Sequence, residues 1–122
     1  IKISYSEPWQ KIHCRAIQSA YGRSAWFEFI YSDLESIINT HFEYLHELNT
    51  SILLFLIRKF KIPLTFTESN IEISSYPLLS DARNNIQQTT LILDKYHQVF
   101  SDRFGFVPNL SSIDLLFNKG KL

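Results

Sequence analysis

SDLESIINTHFEYLHELNTSILLFLIRKF, Ser32 to Phe60, decides the fold. Leu34, Ile37, Ile38, Phe42 and Leu45 recur at three- and four-residue steps, and Leu48, Ile52, Leu53, Leu56 and Phe60 keep the rhythm. That spacing lines apolar side chains along one face of a helix. Ser32 and Glu35 stand three apart at its head, as in a capping box whose two side chains satisfy free first-turn amides. The stretch therefore reads as helix from Ser32 onward, either unbroken or split. Asn49, a residue type that caps helices well, favours a split there. Pro63 ends it, because a proline drives the preceding residue, Ile62, out of helical geometry.

Upstream, Trp9 to Tyr21 repeats the pattern through Trp9, Ile12, Ala16, Ile17 and Ala20. Pro8 suits the helix start, and Gly22 suits a left-handed residue just past the end. Ser24 to Tyr31 is an aromatic segment of one or two helical turns. Downstream, Leu64 to Thr67 alternates like a short strand, and Ile71 to Ile73 reads as another. Residues 74–90 are polar and irregular, as in a long loop. Ser111 to Asn118 forms a short helix with Gly120 at its end. The fold class is mainly α with a few short strands, one unit over residues 1–122 with its helical part at 9–60. We expect this α+β unit to be a fragment of a larger α/β protein.

A hydrophobic share of 45% is enough for a packed core and argues against disorder. Twelve Lys and Arg against twelve Asp and Glu leave no basic surplus, which excludes the usual nucleic-acid binder. Ile52 to Ile57, the longest apolar run, is too short to span a bilayer. Cys14 is the only cysteine, so no intrachain disulfide forms and a reducing, cytoplasmic setting is expected. No signal-peptide pattern opens the chain. It contains no Met, even at position 1, and is read as an interior fragment.

Few residues carry an obvious chemistry. His13 lies beside the apolar stripe, where a hydrogen-bonded histidine at the core edge is preferred over catalysis on the residues alone. Cys14 cannot be its nucleophile, since adjacent helical residues point about 100° apart. Cys14 reads as a small packing residue. His41 and His46 are five apart rather than the four of a zinc helix, so no metal is expected, and no other cofactor. Glu43 and Glu47 share one helical face and repel unless a cation lies between them. Arg58, Lys59 and Lys61 offset the negative end of a helix dipole, though a phosphate could use the same charges. Trp26, Phe27, Phe29 and Tyr31 are read as core before sugar-stacking surface. Asp114, three residues after Ser111, reads first as an acid in a helix's first turn; Asn118 shares its face.

Tyr96-x-Gln98-x-Phe100, Gly105-Phe106-x-Pro108-x-Leu110-Ser111 and Asp114-Leu-Leu-Phe-Asn118 resemble the closing signature, 96–118, of the WbqC-like protein family. Trp9, His13, Ala16-Ile17 and the Tyr21-Gly22 turn are similar to an earlier helix of that family. Phe27-Glu28-Phe29, Leu45 to Asn49 and Asp81-x-Arg83 continue the likeness. Two positions depart: Cys14 stands where members commonly have Trp, and Lys119-Gly120-Lys121 replaces a Gly-Pro region. The family's opening strand and its His-Gln-Pro stretch have no counterpart, so the missing N-terminal part of the same protein is an expected partner.

The resemblance implies a place in O-antigen or other surface-polysaccharide biosynthesis. It also implies a transferase of acyl or amino-acyl (glycine) groups to a nucleotide- or lipid-linked sugar. His13 and Asp114 would then be the catalytic pair, with Gln98, Asn118, Arg83 and Tyr96 binding substrate. The fragment alone is expected to be inactive. The alternative is a non-catalytic partner in a biosynthetic complex, with Trp26 to Tyr31 as its contact surface.

Overall fold

The computed structural model describes residues 1–64 and 94–121. Arg83, the loop at 74–90, the strand at Ile71–Ile73 and most of the one at Leu64–Thr67 lie outside the described residues. Five helices are present among the described residues: α1 (Trp9–Tyr21), α2 (Phe27–Asn39), α3 (Leu45–Lys59), α4 (Ser101–Phe104) and α5 (Ser112–Lys119). The mainly helical expectation holds. Extended pairing among these residues is limited to one antiparallel bridge, Lys2 with Tyr44.

α2 lies at the centre, packed on α1, α3 and α5. Its Ile30, Leu34 and Ile38, four residues apart, form one buried row. Cys14, Phe55, Phe60, Leu115, Leu116 and Phe117 close over that row. Phe117 is 0% exposed, stacked on Tyr21 at 5.1 Å and tilted against Phe27 at 5.6 Å. Truncating such a side chain to Ala costs about 3–5 kcal/mol.

The buried face of α1 is rotated from the stripe read in the sequence. Cys14, Ile17 and Tyr21 meet the core, whereas Ile12 is 56% exposed. Gln10 assists by donating to the Ile38 carbonyl at 2.7 Å. Gly22 has an ordinary right-handed φ of −57°, not the left-handed one expected.

Two boundary expectations also fail. Ser32 and Glu35 do not start a helix, because α2 already begins at Phe27. Glu35 instead accepts a hydrogen bond from the Tyr31 hydroxyl at 3.0 Å. The break falls at 40–44 rather than at Asn49, which sits inside α3. Its cause is the N-terminal segment. Ile3 donates to the Glu43 carbonyl at 3.0 Å, and Leu45 donates to the Ile1 carbonyl at 3.0 Å. The Tyr5 hydroxyl donates to the Phe42 carbonyl at 2.9 Å and accepts from the Phe42 amide at 3.0 Å. These bonds replace the helical ones that the 40–44 backbone gives up. α3 then starts with Glu47 accepting from the Tyr44 amide at 2.9 Å.

Candidate functional site

Ser111, with extended ψ of 159°, precedes α5 without a side-chain cap bond. Asp114 does not turn back to cap the first turn either. It is 4% exposed and points into the protein, toward the chain that arrives through Tyr96 and Gln98. The Tyr96 hydroxyl donates to its Oδ2 at 2.6 Å and Gln98 Nε2 to the same oxygen at 3.3 Å. Asn118, one turn later, donates Nδ2 to Asp114 Oδ1 at 3.1 Å and to the Asp114 carbonyl at 2.9 Å. The structure thus brings together four of the six residues singled out in the sequence.

Gln98, 5% exposed, is held at both ends of its amide. The Val107 amide donates to its Oε1 at 2.9 Å, and its Nε2 donates to the Val107 carbonyl at 2.9 Å. That reciprocal pair closes the loop running through α4. Gly105, at φ +69° and ψ −167°, takes an extended positive-φ conformation essentially confined to glycine on the way back to Val107. Both Gln98 N–H groups are engaged, one by Val107 and one by Asp114, so the side chain has no donor left over.

Tyr21 joins this group, a residue the sequence reading did not select. Burial, then the charge of Asp114 and a hydrogen bond to it, push the Tyr21 phenol up to about 12. Tyr96 is raised too, first by burial and then by its bond to Asp114, with Gln98 opposing. A carboxylate offers about four acceptor sites, and Tyr96, Gln98 and Asn118 occupy three of them. Tyr21, Gln98, Val107, Leu110 and Asp114 wall a pocket of about 180 Å³, with Phe100 and Phe104 at its exposed rim. The signal for Tyr21 was present: it falls four residues after Ile17, on the same turn-repeat as Cys14.

His13 lies elsewhere. It is exposed, edge-on to Trp9 at 5.5 Å, and lines a different cleft of about 630 Å³. That cleft runs between residues 1–4 and the helices, with walls of Trp9, Ile17, Ile38, Leu48, Ile52 and Ile113. The expected catalytic pair of His13 and Asp114 is therefore divided between two cavities, because Asp114 faces the α4 loop while its neighbour Ile113 faces the cleft. Arg83 lies outside the described residues.

The other marked residues have local roles. Glu43 is not helical and pairs with Lys2 at 2.8 Å, which removes the expected repulsion with Glu47. His41 stacks on Tyr5 at 4.2 Å and His46 tilts against Tyr44 at 5.7 Å. No group of metal-ligating side chains gathers among the described residues. Cys14 is buried, and its thiol is raised first by burial and then by the Glu35 charge, with Tyr31 opposing. Of the aromatic segment, Phe27 and Tyr31 stack at 4.5 Å and pack against the core, while Trp26 and Phe29 stay outside.

Fold and cavities define a small helical protein with an apolar cleft beside an imidazole and a separate, smaller pocket that a buried carboxylate helps to line. No helix among the described residues is long and apolar enough to cross a membrane. The chain belongs to the WbqC-like protein family, whose model matches residues 1–92. That span contains α1, α2, α3 and every wall of the His13 cleft named above except Ile113, and stops short of the Tyr96–Asn118 blocks. No curated protein and no solved structure matches the chain.

Proposed function

We propose that the protein acts in the assembly of a surface polysaccharide such as O-antigen, moving an acyl or amino-acyl (glycine) group onto a nucleotide- or lipid-linked sugar. The substrate class comes from the family resemblance, and the division of labour from the two cavities. The apolar cleft takes the hydrocarbon part of an acyl donor or lipid-linked acceptor. His13 takes the proton from the attacking hydroxyl or amine and returns it to the departing group, the usual work of an imidazole at neutral pH. Asp114, Asn118, Gln98 and Tyr96 form a bonded network behind the second pocket and position Tyr21, on that pocket's wall, for sugar hydroxyls. Arg83 is assigned to phosphate oxygens.

The observation that carries this reading is an exposed imidazole on the wall of a cleft of about 630 Å³ that is otherwise largely apolar. The test is His13→Gln, at a position where exposure lets the fold survive. Turnover falls about 10²–10⁴-fold with an unchanged Tm if His13 is the acid-base group. Undiminished turnover removes it from the reaction. Exposed Trp26 and Phe29 favour a second reading, a binding partner without chemistry. Stable co-purification of a partner, with no thermal shift from nucleotide-sugars or acyl donors, selects that alternative.

A further inference from the structure

Two sequence features left apart, the aromatic segment and the basic cluster, meet in one cavity. α2 begins just after Trp26, and α3 ends at Lys59. Beyond α3 the chain turns tightly: Lys61 has φ +54°, its amide donates to the Arg58 carbonyl at 3.2 Å, and Ile62 donates to the Ile57 carbonyl at 3.0 Å. A non-glycine residue at that φ is uncommon. The turn sets Lys61 beside Lys59, facing the end of α5, where Lys121 arrives. The cavity is about 410 Å³, within the size range of small-molecule sites, and Trp26, Phe29, Lys59, Phe60, Lys61 and Lys121 are among its walls.

Among the described residues no carboxylate lines this cavity. Lys59 is tied to Asp33 of α2 at 2.7 Å, but Lys61 and Lys121 have no ion pair among the described residues. In a chain of zero net charge this is a local concentration of positive charge. Its aromatic wall is firmly placed. The Trp26 amide donates to the Phe117 carbonyl at 3.1 Å, and the indole lies against Gly120 so closely that a Cβ there would come within 2.5 Å of the ring. Trp26 is nevertheless 43% exposed and Phe29 69%, their rings 5.9 Å apart and tilted by 59°. Two adjoining aromatics left in water above a trio of lysines suit a ligand with a flat π-face and a phosphate tail.

We propose that this cavity binds a nucleoside diphosphate. The base rests on Trp26 and Phe29, and the diphosphate lies on Lys61 and Lys121, with Lys59 in support. Inorganic phosphate uses only the lysine half. The site goes beyond the transferase reading: it shares no wall with the His13 cleft and is a nucleotide site in its own right.

The test is a titration of the protein with uridine and adenosine diphosphates, followed by calorimetry and by the Trp26 indole and Gly120 amide resonances. Saturable binding that moves those two signals and leaves the Trp9 indole in place is the expected result. Phe29→Ala, at a side chain with little packing to lose, weakens binding about 5–150-fold. Lys61→Ala with Lys121→Ala weakens it about tenfold or more. Pyrophosphate and uridine alone each bind less tightly than the diphosphate. No saturable shift, shifts unchanged in both variants, or binding to anionic phosphatidylglycerol vesicles in place of nucleotides overturns the proposal. No nucleotide binding by the unaltered protein, with acyl transfer to a lipid-linked sugar observed, sinks this site alone. Nucleotide binding intact with transfer insensitive to His13→Gln sinks the transferase mechanism alone.

Discussion

Substituting Asp114 by Asn keeps the side chain's shape while replacing one oxygen by an N–H₂ group and removing the charge. The new donor has no good place. If it faces Asn118, two amide donors oppose each other, and Asn118 cannot flip without losing its 2.9 Å bond to the Asp114 carbonyl. If it faces Tyr96, the phenol can rotate to accept, but Gln98 Nε2, 3.3 Å from that atom, loses its acceptor. The second arrangement is the better one. It exchanges charge-assisted bonds for neutral ones and orphans one N–H of a buried amide, a cost of about 1–3 kcal/mol. The expected fall in Tm is on the order of 5–15 °C. Urea unfolding followed by circular dichroism measures the loss, and Asp114→Asn with Tyr96→Phe forms a double-mutant cycle expected to show coupling of about 0.5–3 kcal/mol. A variant as stable as the parent, or more so, would refute the reasoning. Burying the carboxylate would then cost the fold as much as its bonds return.

Three further outcomes follow from burial. Tyr21 and Tyr31 are both pushed up to about 12, Tyr31 chiefly by burial and then by Glu35, so the fold keeps protons that the unfolded chain loses near its ordinary value of 10.0. Between those values the unfolded state binds fewer protons, so stability falls as pH climbs from about 10 to about 12, and Tyr21→Phe makes that fall shallower in alkaline melts. Gly120→Ala places a methyl group against the Trp26 ring at φ +74° and costs about 1–3 kcal/mol, with a shift in Trp26 fluorescence as the local check. The buried Cys14 thiol, raised by burial, stays unreacted toward an aromatic disulfide reagent in the native state, at least about 100-fold slower than in denaturant.

The parts of the fold legible in the sequence are those fixed by neighbours within a few residues. α1 runs between Pro8 and Gly22, and α5 ends at Gly120, because caps and breakers act locally. The break between α2 and α3 was not legible, since the groups that hold 40–44 out of the helix belong to residues 1–5. The apolar rhythm of Phe42 and Leu45 continues across it, and Asn49 merely mimics a boundary. Ser32 and Glu35 mislead for a related reason: a capping pattern is also harmless inside a helix when Tyr31 offers Glu35 a partner.

The site divides along the same line. Periodicity finds that Asp114 and Asn118 share a face, but it cannot say that Tyr96 and Gln98 supply the donors that let a carboxylate be buried there. Nor does it say that Ile113 and Asp114, adjacent in sequence, face different cavities and so part His13 from Asp114. Buried and already accepting from Tyr96, Gln98 and Asn118, Asp114 is poorly disposed to remove a proton from substrate. An exposed imidazole has no such engagement. The proton-moving role in the proposed reaction is therefore assigned to His13 in the α1 cleft, while the buried carboxylate holds α5 and the 96–107 loop against the helices.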